Sequence, residues 1–236
     1  MDQGFLDETV GRKSPLFAAM VDFNHSQLKS ETESSLSAAD PAIVQLVLND
    51  ASILRAYRKN TSPSSSRCWW DFAEETRRLI LLSPDILERL ALCFSAAVFA
   101  EEMALTVDGK QVLALRTLLG TEIFAYAIRR GRYQIGSIRQ TILTHFSVAP
   151  LAERILLLAR SVLLLMGESC PLELKELWLQ KLSGMSIFSS SASSNEMFVS
   201  SAPLLQLSRE QRRALWFTLK KILLREVAPQ WAPCFD

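Results

Sequence analysis

The chain has 236 residues, 49% of them apolar and 22% charged, which is enough apolar material for a sizeable core and excludes a generally disordered chain. Its 26 basic and 25 acidic residues leave a formal charge of +1. No global field therefore attracts nucleic acid or an anionic membrane, and any partner has to be met by a local patch.

Residues 1–36 carry Ser26, Ser30, Ser34 and Ser35 beside Glu31 and Glu33, and read as a loosely ordered N-terminal segment ahead of a helical domain over residues 37–236. The opening residues Met1 to Glu8 show no cationic stretch leading into an apolar one, so no secretory signal is predicted and the product is expected to stay in the cytoplasm. A first helix is predicted from Asp40 or Pro41 to Tyr57, with Ile43, Leu46, Val47, Ile53 and Leu54 as its apolar stripe. Ser62-Pro63-Ser64-Ser65-Ser66 marks a linker near residues 61–66. Residues 69–80 then read as an amphipathic helix. Trp69 and Trp70 are adjacent and cannot share one inward direction on such a helix, which makes Trp70 a candidate interface anchor as well as a candidate core residue.

Ser83-Pro84-Asp85 is a helix start, with a capping serine, proline at the first helical position and a carboxylate near the positive end of the dipole. The following run from Leu90 to Ala100 is nearly all apolar, yet Glu88 and Arg89 precede it and Glu101 and Glu102 close it. It is too short to cross a bilayer, and a helix apolar on almost every face belongs at the centre of a domain. Asp108-Gly109 marks a turn, Gln111 to Leu119 resumes helical periodicity, and Gly120 is placed as a C-cap before a further helix from Glu122 to Arg130.

Pro150 opens a second very apolar helix through Met166, where Arg154, Arg160 and a stop at Gly167 leave it too short and too charged for a membrane. Pro171 starts a helix through Leu182. Residues 183–203 hold nine serines and read as an exposed loop. Ser208-Arg209-Glu210-Gln211 is a capping box that launches a last helix through Leu215, Leu219, Ile222 and Leu223 to Val227, ended by Pro229. No strand alternation and no internal repeat is visible, so the predicted fold is all-α, one irregular bundle of about seven or eight helices.

Catalytic patterns are weak. Gly131 and Gly136 have the spacing of a phosphate loop, but Ser137 stands where that loop needs lysine, and the motif follows a helix instead of a strand. His25 and His145 lack a ligand at i+3 or i+4, and the pairs Glu74-Glu75 and Glu101-Glu102 are adjacent, which on a helix points them about 100° apart. Cys68, Cys93, Cys170 and Cys234 form no CxxC pair and read as reduced, mostly buried thiols. The residues thus predict no catalytic group, no cofactor and no metal site. Basic residues cluster at Arg129, Arg130 and Arg132, with Arg139 nearby, and along the last helix at Arg212, Arg213, Lys220, Lys221 and Arg225. Helix-dipole compensation and a solvated face account for such clusters, and an acidic partner surface is the functional alternative. The candidate partner-binding residues are Arg129, Arg130, Arg132, Arg213, Lys220, Lys221 and Trp70.

Leu87-Glu88-Arg89-Leu90-Ala91-Leu92, then Asp108-Gly109-Lys110-Gln111-Val112-Leu113-Ala114-Leu115, and Leu119-Gly120 before Phe124-Ala125 resemble the SctK (YscK-type) family of bacterial type III secretion. The ending, Leu223-Leu224-Arg225-Glu226-Val227-Ala228-Pro229 followed by Cys234-Phe235, is similar to that family's C-terminal amphipathic helix and short aromatic tail. Residues 83–136 and 208–236 carry most of the match, about a third of the chain. Of the family's N-terminal aromatic, histidine, leucine and proline pattern, only Phe23, His25 and Leu28 are present.

The resemblance implies a cytoplasmic, non-enzymatic adaptor of the sorting platform, the assembly beneath the injectisome that selects and loads secretion substrates. Its implied partners are the forkhead-associated-like cytoplasmic domain of the SctD-type inner-membrane ring protein and the SctQ-type pod protein, which would hold it at the cytoplasmic face of the inner membrane. Nucleic acid and a membrane span are not expected. The competing expectation is a helical effector or regulator that binds a signalling protein or DNA, which would need a secretion signal in the first 36 residues or a basic recognition helix.

Overall fold

A computed structural model describes residues 14–35, 41–49, 69–136, 138–146, 149–189 and 202–235. They fold as two compact units, Met1–Phe72 and Ala73–Asp236, so the division falls after Phe72 and not at residue 36. All regular structure among the described residues is helical. Among the described residues eight helical elements have seven residues or more, and the short turns of helix that join them, which periodicity could not reveal, bring the total above the seven or eight predicted.

In the first unit, helix α1 (Pro15–Ser35) occupies the segment predicted to be loosely ordered. Its apolar side chains do not line one stripe, which hid it from a periodicity argument. Tertiary contacts hold it instead. Asn24 is buried, its amide donates to the carbonyls of Met20 and Trp69 at 2.9 Å, and its side-chain oxygen accepts from the Trp69 amide at 2.8 Å. Phe23 packs edge-on against Phe72, with ring centroids 6.1 Å apart and planes at 88°. Helix α2 (Pro41–Asn49) adds Val47 and Leu48 to this small core. The predicted extension to Tyr57, the linker near 61–66 and Cys68 lie outside the described residues.

The predicted helix over residues 69–80 is not formed. Both backbone groups of Trp69 are engaged by Asn24, and its indole donates to the Asp71 carbonyl at 2.9 Å. Trp69 to Ala73 stay outside any helix, and only Glu75–Leu81 turns, as a 3-10 helix.

The second unit is built around α3 (Pro84–Val98), which starts where predicted, with the Ser83 hydroxyl accepting from the Ile86 amide at 3.4 Å. Every side chain from Leu90 to Val98 is buried, consistent with its all-round apolar sequence, and each large one contributes roughly 1.5–3 kcal/mol through removal from water. Short α4 (Ala100–Leu105) leads to α5 (Gly109–Arg129), capped by Asp108, whose carboxylate accepts from the Lys110 amide at 3.0 Å. By length and composition α5 could cross a membrane, but Gly120, at φ 71° and ψ 163°, breaks it into residues 109–119 and 121–129. Neither piece reaches the ~20 residues that a span requires.

A 3-10 turn (Gly131–Tyr133) and α6 (Ile138–Leu143) follow, and α7 (Leu151–Gly167) packs along α3, as α5 also does. Helix α7 ends at Gly167, where the stop was predicted, and Glu168 caps it. A Cβ there would fall 2.3 Å from Cδ1 of Trp178, so glycine lets the indole of α8 (Leu172–Ser183) approach the helix and donate to the Leu163 carbonyl at 2.9 Å. Two short helices, α9 (Ser186–Ser189) and α10 (Ala202–Leu205), stand inside the predicted loop of residues 183–203, whose middle is outside the described residues. Helix α11 (Arg209–Ile222) opens on the predicted capping box, with Ser208 and Gln211 exchanging hydrogen bonds at 3.2 and 2.8 Å. It passes into a π turn (Leu223–Val227) and a final 3-10 turn (Pro229–Cys234), which buries Phe235.

Candidate interaction groove and basic faces

The seven candidate partner-binding residues do not form one surface. Arg129, Arg130 and Arg132 lie exposed at the end of α5 and in the turn after it. Arg130 reaches Glu226 of the π turn at 3.3 Å. The other oxygen of Glu226 accepts from the Gln134 amide at 2.9 Å, and Gln134 in turn accepts from the Tyr126 hydroxyl at 3.0 Å. This relay ties α5 to the C-terminal turns, and burial raises the Tyr126 pKa, so the phenol keeps its proton and acts as donor. Arg132 covers the exposed ring of Tyr133 at 4.5 Å. Arg139 is a clamp more than a patch residue, 2.7 Å from Glu101 and donating to the Val98 carbonyl at 2.8 Å.

On α11, Arg213 lies over the ring of Phe217 at 5.4 Å, with Phe217 53% exposed. Arg213 and Glu226, the anchor of Arg130, are separated by about 20 Å of helical rise. Lys221 is half-buried. Lys220 is not an exposed interface residue: it turns inward to Glu75 at 2.8 Å and donates to the Phe235 carbonyl. Trp70 belongs to the other unit, where it is 47% exposed and stacks on Phe17 with centroids 6.0 Å apart at 21°.

The two members of each adjacent carboxylate pair meet different partners while staying partly exposed to solvent. Glu74 meets Arg77 at 3.3 Å while Glu75 accepts from Lys220 and Trp216, and Glu101 meets Arg139 while Glu102 meets Arg154. Gly131 is required by packing, since a Cβ would sit 2.8 Å from the Ala97 Cβ. Burial pushes the Cys93 thiol up to about 12 and the Cys170 thiol up to about 11, which removes thiolate character from both at neutral pH. Among the described residues no group of three His, Cys, Asp or Glu side chains is placed to hold a metal.

A groove of about 470 Å³ lies between the start of the 3-10 helix Glu75–Leu81, the C-terminal end of α7 and the first turns of α11. Leu165, Met166 and Trp216 supply its apolar surface. Trp216 is fixed by its indole N–H, which donates to Glu75 at 3.2 Å, and by a tilted ring contact with Phe235 at 6.2 Å. Arg209, Glu210 and Arg213 stand on one rim, and Glu74 and Glu168 on the other. Thr76 and Ser169 close that second rim with a hydroxyl pair at 3.3 Å. Arg212 folds back to the carbonyls of Leu205 and Leu207, which holds the turn ahead of α11. Sequence reasoning singled out Arg213 and the capping box but not the groove, because its walls come from segments more than thirty residues apart in the chain.

Among the described residues, fold and groove define an all-α protein with charged outer faces and an apolar-floored cleft. Comparison with family models finds no match, and neither curated proteins nor solved structures match the chain.

Proposed function

We propose that this chain is a non-enzymatic cytoplasmic adaptor of a type III secretion sorting platform, bridging the cytoplasmic domain of the inner-membrane ring protein and the pod protein. The observation that carries this reading is the resemblance over residues 83–136 and 208–236. Many of the residues that carry it are core residues, including Leu87, Leu90, Ala91 and Leu92 of α3 and Leu223 and Phe235 near the end of the chain. What is shared is therefore a scaffold pattern, and partner contacts fall to the outer faces, where Arg129, Arg132 and Arg213 are exposed.

Co-purification with the ring protein's cytoplasmic domain and with the pod protein tests the reading, and binding to neither would remove it. Reversing Arg129, Arg132 and Arg213 to glutamate is expected to weaken one of the two complexes while leaving Tm nearly unchanged, because exposed charges contribute little to stability. Unaltered binding by the triple variant would take these residues out of the interface.

A further inference from the structure

We infer that the groove beside α11 is a docking site for an acidic amphipathic segment of a partner protein, one that places an apolar side chain over Trp216 and carboxylates against Arg209 and Arg213. The floor is apolar, formed by Leu165, Met166 and Trp216, each less than a tenth exposed. A partner that offers only charge leaves that floor in contact with water, so an apolar anchor is part of the match.

The sign of the rim follows from which charges are already satisfied. Glu74 is paired with Arg77 at 3.3 Å and Glu168 with Lys175 at 2.8 Å, both partners standing outside the groove. Neither Arg209 nor Arg213 takes part in any ion pair among the described residues. With Glu210 as the single unpaired carboxylate on that side, the groove presents excess positive charge in a chain whose overall charge is close to zero. Arg209 and Arg213 stand at i and i+4 on α11, one turn apart on one face. That spacing suits two carboxylates carried one turn apart on a partner helix, beside its apolar side chain. The inference holds whether or not the chain is a sorting-platform adaptor.

The test uses the full chain and a fluorescein-labelled amphipathic peptide with leucine and tryptophan on one face and glutamate flanking them. Two control peptides replace the glutamates with lysine or the apolar residues with serine. The acidic amphipathic peptide is expected to bind, both controls to bind at least about tenfold more weakly, and binding to fall as salt is raised. The double variant Arg209→Glu, Arg213→Glu should lose binding at least about tenfold with an unchanged melting curve. The neutral pair Arg209→Gln, Arg213→Gln should show an intermediate loss, which keeps the test valid if the reversal disturbs folding. Equal binding of the acidic and lysine peptides, absence of binding by the acidic peptide, or full binding by both arginine variants would overturn the proposal. Peptide binding without co-purification of the ring or pod protein would leave the groove assigned and remove the adaptor reading alone.

Discussion

The ammonium of Lys220 lies 2.8 Å from Oε1 of Glu75, across 145 residues of sequence, and the indole of Trp216 donates to the other carboxylate oxygen at 3.2 Å. The same ammonium donates to the Phe235 carbonyl. Arg78, on the 3-10 helix that starts at Glu75, donates to the Cys234 carbonyl at 2.8 Å. This cluster fastens the C-terminal tail to the 3-10 helix and orients the tryptophan that floors the groove.

Acid titration should expose that cluster. Burial alone would raise the Glu75 pKa, but the hydrogen bonds from Lys220 and Trp216 and the nearby charges of Lys220 and Arg78 together lower it below its ordinary 4.5. A carboxyl whose folded pKa is depressed adds stability that is present above the ordinary value and is lost as pH falls through the folded one. Glu75→Gln is expected to cost about 1 kcal/mol near neutrality, after allowance for solvent screening of a partly exposed pair. Denaturant unfolding of both proteins should show the difference shrinking as pH drops below the ordinary value and vanishing once it lies below the folded one, and a pH-independent difference would contradict the assignment.

A second titration runs the other way. The Lys181 ammonium is buried against the carbonyls of Ile80 and Leu82, and burial lowers its pKa from 10.5 to about 8. Between these values the unfolded chain binds more protons than the folded one, so stability should rise as pH increases through that window. The neutral amine retains two N–H groups, enough for both carbonyls. Lys181→Met should flatten the rise, as read from unfolding free energies at pH 8 and pH 10.

Gly120 tests conformation apart from packing. A Cβ at this position meets nothing within 4 Å, yet φ 71° with ψ 163° lies in a region used almost only by glycine. Gly120→Ala should therefore destabilise by roughly 1–3 kcal/mol with no steric clash to relieve. A neutral substitution would mean that α5 straightens through the kink at little cost.

Gly167 tests packing apart from conformation. Gly167→Ala should drive Trp178 from its place, break its hydrogen bond to Leu163 and cost roughly 1–3 kcal/mol. In a double-mutant cycle with Trp178→Leu the two effects should be far from additive, since the clash disappears with the indole. Additive losses would show that the strain lies elsewhere.

Ser83 and Ser208 could be read as helix starts because a cap uses atoms no more than three residues away. The buried place of α3 was legible for a related reason: a run with no polar face has only one environment that suits it. Helix α1 was not legible, because Asn24 ties it to Trp69, forty-five residues on, and that contact has no local signature. The same link keeps Trp69 and Trp70 out of the helix that their amphipathic neighbours predict.

The amino-acid sequence by itself determined the all-α class, most helix starts and the central position of α3, since these follow from short-range hydrogen bonds and from apolar periodicity. Only the tertiary structure decided which charges face outward. Lys220 and Arg213 look alike along α11, and one is drawn into an ion pair with Glu75 while the other remains on the rim of a groove. That difference depends on which distant carboxylate the fold brings within reach, and no spacing along the chain encodes it.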